Sequence, residues 1–310
     1  MRKSLFVKPL TVRQGVELKV ANMEVGSVGS VGKMKLLTII LLTLFVFLTL
    51  SALGISFALE SPEQGPIIVY GDSRWGHETH KRIVDAFMYM RPAAVFHTGD
   101  LVTKGSKIHQ WTRFKKIISR ITNESEFYPA RGNHDGSFRI FVENAGVPGD
   151  LPWYCVEKNS IHFIVLDSSS RLSAGSNQYK WLLTDLKDIG EETKFIVVIF
   201  HHPIFTSEAG GHTDDEKGWG PILLPLFEEY DVDLVFCGHI HAYERLFYNG
   251  IHFITTGGGG APLYSRKKAS HYSEKYLKKY HFCSLTTSDD LLTVEVFDVD
   301  LELIDKIEIR

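Results

Sequence analysis

The sequence predicts one α/β domain with a mixed sheet arrangement, and three observations carry that expectation. Short runs that are apolar throughout (67–70, 93–96, 195–200 and 233–237) have the composition of strands buried on both faces. Between them lie stretches with apolar residues three and four apart, the spacing of helices that cover a sheet. After residue 250 the pattern changes to strand following strand, which adds antiparallel pairs to the parallel set.

Taken in order, 67–70 is a short apolar run ending in Gly71-Asp72. Helical spacing follows over 79–90, where Ile83, Val84, Phe87 and Met90 share a face, and Pro92 stops it. A buried strand over 93–96 ends near Gly99-Asp100. Residues 107–121 form an amphipathic helix with Trp111, Phe114 and Ile118 on one side. A short strand over 127–130 leads to Gly132-Asn133-His134-Asp135. Adjacent strands over 153–157 and 161–167 precede a helix near 177–186 and a strand over 195–200 that runs into His201-His202. A helix near 221–230 comes before the strand 233–237 and Gly238-His239. Four strands close the chain, at 251–255, 282–286, 291–298 and 301–309. Gly257–Gly260 is a loop, because strand-like sequence continues beyond it. Trp153, Tyr154 and Trp219 could line a pocket, although aromatics beside strands usually belong to the core.

Charge divides the chain. Residues 1–35 hold seven basic residues against Glu17 and Glu24, so the remainder carries a net charge of −8 within the total of −3. A body of that sign repels a phosphate backbone, so no nucleic-acid partner is expected. Residues 36–59 are uncharged and rich in Leu, Ile, Phe and Val. Roughly 20 such residues span a bilayer core. They read either as a signal peptide, cleaved after the small-x-small site Ser56-Phe57-Ala58, or as an uncleaved membrane anchor. Met34-Lys35 would begin an ordinary signal peptide, so the basic tail 1–35 can reflect a misassigned start. Basic residues before the segment and Glu60 and Glu63 after it place the body outside the cytoplasm, secreted or anchored with the N-terminus inside. Residues 60–65 are a linker and 66–310 the domain. Cys155, Cys237 and Cys283 make no disulfide framework; Cys237 reads as a small core residue, and a Cys155–Cys283 bridge is open but nothing requires it.

Asp72, Asp100, Asn133, His201, His239 and His241 all fall just past the ends of apolar strands. In open α/β sheets such ends converge on one edge, where ligands bind. A dinuclear metal centre needs a bridging carboxylate, imidazoles for borderline cations, and open positions for water and phosphate. Singly, each residue has a bland reading as a turn aspartate or a surface histidine. Together they point to metal binding.

The motifs Gly71-Asp72, Gly99-Asp100-Leu101-Val102, Gly132-Asn133-His134-Asp135, His201-His202-Pro203 and Gly238-His239-Ile240-His241 resemble, in order, those of the calcineurin-like metallophosphoesterases. The continuation Ala242-Tyr243-Glu244-Arg245, with Gly257–Gly260 and 161–167, is most similar to the purple-acid-phosphatase-like branch. The resemblance covers roughly 66–298. It implies a four-layer αββα sandwich of two mixed sheets and two metal ions (Mn, Fe or Zn). One would be held by Asp72, Asp100 and His241, the other by Asp100, Asn133, His201 and His239, with Asp100 bridging. It implies that His134 contacts the phosphate or protonates the leaving group, with Asp135 orienting it, and that the substrate is a small phosphate mono- or diester.

Two departures qualify this. Where many members have Asp-x-His the third position is Arg74, and where purple members have a tyrosine this chain has Thr103. The first metal is thus short of one protein ligand. Water, His77 or His80 could fill the position, or that metal binds weakly. Arg74 is expected either as a phosphate contact or as a structural ion pair. Without a tyrosine at 103, iron-loaded protein should show no violet charge-transfer band in its visible spectrum. His212, after Gly210-Gly211, is a candidate for a substrate-facing loop. Two other functions stand beside the phosphoesterase: a phosphate-ligand binding module on an impaired scaffold, and a dinuclear hydrolase of a non-phosphate ester.

Overall fold

The computed structural model describes residues 65–310. The expectations for the basic tail, the apolar segment 36–59 and most of the linker lie outside the described residues. No helix among the described residues is long and apolar enough to cross a membrane.

The first half contains β1 (Ile67–Tyr70), α1 (His77–Met88), β2 (Ala94–His97), α2 (Ile108–Ile117), α3 (Ser119–Glu124), β3 (Glu126–Pro129) and α4 (Phe138–Ala145). Then come β4 (Tyr154–Lys158), β5 (Ile161–Val165), α5 (Asn177–Lys187), β6 (Phe195–Ile199), β7 (Glu208–Ala209), α6 (Gly220–Glu229) and β8 (Leu234–Cys237). The remainder is all strand: β9 (Tyr243–Tyr248), β10 (Ile251–Thr256), β11 (Arg266–Lys268), β12 (Ser273–Leu277), β13 (His281–Ser288), β14 (Leu291–Asp298) and β15 (Leu303–Ile309).

Two mixed sheets result. One has the order β15-β14-β13-β1-β2-β3, the other β12-β9-β10-β8-β6-β5-β4, and β7 and β11 form a small separate pair. The strands β1, β2 and β3 are parallel, as are β5, β6, β8 and β10; the outer strands join antiparallel. Parallel neighbours end on the same side, so the loops leaving β1, β2 and β3 gather at one rim. Those leaving β6 and β8 gather likewise on the other sheet.

Period-two side-chain alternation decides what each strand face meets. Ile67 and Val69 of β1 and Phe96 of β2 point toward Phe163, Val197 and Phe236 of the second sheet, and the rings of Phe96 and Phe163 stack at 4.3 Å. Ile68, Tyr70 and Val95 point the other way, onto Phe87, Trp111 and Phe114 of α1 and α2. The second sheet turns Val198 and Val235 toward Leu182, Leu186, Leu223 and Phe227 of α5 and α6. Each fully buried Phe or Leu contributes roughly 1.5–3 kcal/mol of apolar transfer. Both faces of the central strands are therefore strongly specified, and the rim geometry rests on that.

Three expectations are corrected. The helix expected over 107–121 is two helices, because Ile118 leaves helical geometry (φ −84°, ψ 4°) and the Ser119 hydroxyl donates to the Lys116 carbonyl, competing with the helical ladder. The helix α4, absent from the sequence reading, starts at Ser137, whose side chain accepts from the Ile140 N–H, and ends at Gly146 in the left-handed conformation. The three cysteines are free thiols: Cys155 is exposed on an edge strand of one sheet and Cys283 buried in the other, so no bridge joins them.

Candidate metal centre

Four acceptor atoms meet where the rims of the two sheets face each other. The Asn133 amide oxygen Oδ1 lies 3.0 Å from His201 Nε2 and 3.1 Å from His239 Nδ1. These two ring nitrogens are 3.3 Å apart, and Asp100 Oδ1 is 3.5 Å from His201 Nε2. The proton inventory makes this grouping informative. His201 Nδ1 is 2.9 Å from the Thr98 carbonyl, which can only accept, so Nδ1 carries the ring proton. In the neutral ring Nε2 then presents a bare lone pair to the Asn133 oxygen. Burial, with His201 and His212 beside it, holds the His239 imidazole down to about 2, so that ring carries one proton. Glu216 Oε2, 3.5 Å from Nε2, is the acceptor that proton can face, which leaves Nδ1 bare. Lone pairs aimed at one another without protons between them are what a shared cation relieves. This donor set fits a metal ion.

The backbone is bent to make the meeting possible. Asp72 (φ 58°), Asp100 (φ 58°) and His239 (φ 70°) all sit in the left-handed region, unusual for side-chain-bearing residues. Each costs on the order of 1–3 kcal/mol and persists because the surrounding sheets over-determine it. Gly132 shows how closely the loops approach: a Cβ there would lie 2.2 Å from both the backbone N and Oδ1 of Asp100. Gly99, at φ 107°, has His201 Nδ1 within 2.6 Å of the same construction.

Asp72 and His241 form the other half. His241 Nδ1 donates to the Pro262 carbonyl at 2.9 Å, which leaves Nε2 as the acceptor. Nε2 lies 3.4 Å from Asp72 Oδ1 and 3.3 Å from Arg74 Nη2. Burial alone would raise the Asp72 carboxyl. Its polar and cationic surroundings, the Arg74 guanidinium among them, outweigh that and hold the carboxyl below the usual range. Arg74 Nε is 2.8 Å from Asp100 Oδ2, an ion pair in distance though not aligned as a hydrogen bond. The guanidinium therefore lies among Asp100, His241 and Asp72, and this half of the set is engaged by an arginine.

Asp135 departs from expectation, while His134 stands on the rim. The His134 Nδ1–H donates to the Thr103 carbonyl at 2.9 Å, and Nε2 points toward Asp100 Oδ2 at 4.0 Å. Asp135 does not orient this ring. Its carboxylate accepts the backbone N–H groups of Asp100 (2.9 Å), Val102 (3.1 Å) and Gly132 (2.8 Å), tying the β2 and β3 loops together. A carbonyl orients the histidine instead, and a residue on a turn offered no signal for that.

With the geometry described, kinship can be asked of it. Residues 65–243, more than half the chain, match the family described as Calcineurin-like phosphoesterase. The chain belongs to that family. Within it, the similarity runs to the purple-acid-phosphatase branch. The chain is 28% identical over 211 residues to "Purple acid phosphatase 1" of Ipomoea batatas, covering 59% of this chain and 44% of that protein. It is 38% identical over 211 residues to "Purple acid phosphatase" of Glycine max, covering 59% and 45%. The chain thus spans less than half the length of these relatives. The solved purple acid phosphatase PPD1 from yellow lupin (Lupinus luteus) shares the fold, with a TM-score of 0.69 at 21% identity over 79% of this chain and 53% of that one.

Other residues of this calcineurin-like phosphoesterase frame the rim. His77 and His80 do not supply the first half with a ligand. His80 Nε2 bonds the Tyr70 hydroxyl at 3.0 Å and its ring stacks on Phe114, while His77 Nε2 faces Arg113 at 2.9 Å. His212 does reach the rim: its ring centroid is 4.2 Å from that of His239, and its Nδ1 pairs with Glu216. Sequence reasoning missed Glu216, whose Oε2 is 3.5 Å from His239 Nε2; a histidine and a glutamate four apart were the available hint. It also missed Trp75, half exposed at φ 71°, whose ring lies under the Arg74 guanidinium at 4.4 Å, and Tyr264, stacked on His241 at 4.3 Å. Fully buried Glu244 accepts from the Ser207 N–H at 2.9 Å and Oγ at 2.5 Å, and so fixes the segment after His201-His202.

Proposed function

We propose that this chain is a metal-dependent phosphoesterase that hydrolyses phosphate mono- or diesters outside the cytoplasm. The observation that carries the reading is the convergence of Asp100 Oδ1, Asn133 Oδ1, His201 Nε2 and His239 Nδ1 with His134 on the same rim. Asp100, Asn133, His201 and His239 would hold a cation (Mn, Fe or Zn). Such an ion supplies Lewis acidity toward a phosphoryl oxygen and makes water a stronger nucleophile at neutral pH.

The remaining work falls to the chain's own groups. Thr103 holds the His134 ring by Nδ1, leaving Nε2, when protonated, to donate to a phosphoryl oxygen or to give its proton to the departing oxygen. Arg74 offers fixed positive charge against phosphate. Trp75, half exposed beside Arg74 and His134, offers the mouth an apolar face. The purple-acid-phosphatase relatives support a small phosphate ester as substrate. The basic residues before the apolar run 36–59 support an extracytoplasmic body, anchored to the membrane if that run is kept.

Full-length protein with added manganese is expected to hydrolyse para-nitrophenyl phosphate or its bis-ester. Asn133→Ala and His201→Ala should each lower kcat/KM by more than about 100-fold, beyond the loss usual for residues that only support a ligand. Activity surviving both changes, or no turnover on a phosphoester panel, would remove the reading.

A further inference from the structure

We propose that the Arg74 guanidinium takes the place of a second cation, so that this phosphoesterase works with one metal ion per chain. The inference rests on the functional reading above and concerns only the half of the centre built on Asp72 and His241.

Position comes first. Arg74 Nη2 is 3.3 Å from His241 Nε2, the ring nitrogen left bare because Nδ1 donates to the Pro262 carbonyl. Arg74 Nε is 2.8 Å from Asp100 Oδ2, the oxygen of that carboxylate turned away from His201. A cation in this half would need the same two atoms. Guanidinium and ion therefore compete for one place, and the arginine cannot yield by losing its proton.

The arginine is also held. Only 6% of it is exposed, Trp75 covers one face of the guanidinium at 4.4 Å, and its backbone N–H donates to the Asp100 carbonyl at 3.3 Å. His77 and His80, the alternative donors expected from the sequence, are engaged elsewhere. Charge points the same way. Asp72, Asp100 and the adjoining Asp135 are fully buried, and Arg74 with one divalent ion already matches the charge of three carboxylates. A second ion would crowd like charge into a space with little solvent to screen it.

The substitution has a chemical use. Arg74 Nη1 is buried and has no hydrogen-bond partner, so the fork has a donor in reserve. A phosphoryl oxygen would satisfy it, with the geometry that suits guanidinium to phosphate. The arginine would then stabilise charge on the phosphate as well as neutralise Asp100.

Metal content decides the matter. Full-length protein incubated with excess Mn(II) and freed of unbound metal by gel filtration should retain one ion per chain, with the six-line EPR spectrum of isolated Mn(II). Arg74→Ala and Arg74→His should double the retained metal and give an exchange-coupled spectrum. Two ions in the unmutated protein would overturn the inference while leaving the phosphoesterase reading intact, as would a failure of both variants to gain metal. No retained ion together with no hydrolysis would fell the functional reading itself. The count in the unmutated protein suffices for refutation even if a variant does not fold.

Discussion

Asp100→Asn should empty the centre of metal and lower kcat/KM by more than about 100-fold, the largest catalytic loss expected of any conservative change in this chain. The carboxylate works on three sides at once. Its Oδ1 accepts the His134 backbone N–H at 2.9 Å and faces His201 Nε2 at 3.5 Å, while Oδ2 pairs with Arg74. An amide keeps the shape and can keep the bond to His134. It removes the charge, strands a buried guanidinium, and turns an NH2 toward either His201 or Arg74. Retained manganese, turnover of a phosphoester and the circular-dichroism melt should be read on the same preparation. A variant that keeps its metal and its rate would show that Asp100 is not at the heart of this site.

The largest stability effect is expected away from the chemistry. Arg131 Nε and Nη2 donate to Asp167 Oδ1 (3.0 Å) and Oδ2 (2.8 Å), a two-pronged pair with side chains 7% and 0% exposed. Arg131 also donates to the Gly136 carbonyl at 2.8 Å, while Asp167 accepts from Ser169 N–H and Ser170 Oγ. Arg131 immediately precedes Gly132-Asn133, and Asp167 follows β5, so the pair joins a loop of each sheet. Removing one partner leaves the other charged and buried, at a cost of about 3–5 kcal/mol. Asp167→Ala should show this in the urea midpoint, and should loosen metal retention although Asp167 faces no ion. Arg131→Met combined with Asp167→Leu should recover much of the loss, since a well-packed apolar pair carries no desolvation penalty. An unchanged midpoint in Asp167→Ala would contradict this account.

What the sequence disclosed followed from periodicity. Runs such as 67–70 and 195–200 are apolar on every residue, short and rich in β-branched side chains, which marks them as strands closed on both faces. The residues after them were therefore legible as one cluster, and Asn133, His201 and His239 do meet. What stayed hidden depends on three-dimensional closure. The strand β9 was obscured by Glu244 and Arg245, charges that look exposed until Ser207 and Asp305 are seen beside them. The role expected of Asp135 failed because a carboxylate next in sequence to a histidine need not face it, and here three backbone N–H groups claim it first. Arg74 was legible as a departure. Its direction was not, since an arginine after a strand can reach outward to substrate or inward to a carboxylate with equal ease.

Asp72, Asp100 and Asn133 hang from the ends of one sheet, whereas His201, His239 and His241 hang from the other. Between these layers the shared interior is interdigitated hydrocarbon, and the Arg131–Asp167 pair and the Tyr154 hydroxyl on the Pro129 carbonyl already fasten one layer to the other. A bound ion would add a rivet at the margin where the six side chains end. Loss of the ion would then be felt as slack in the loops at that margin, while the layers behind them stay in register.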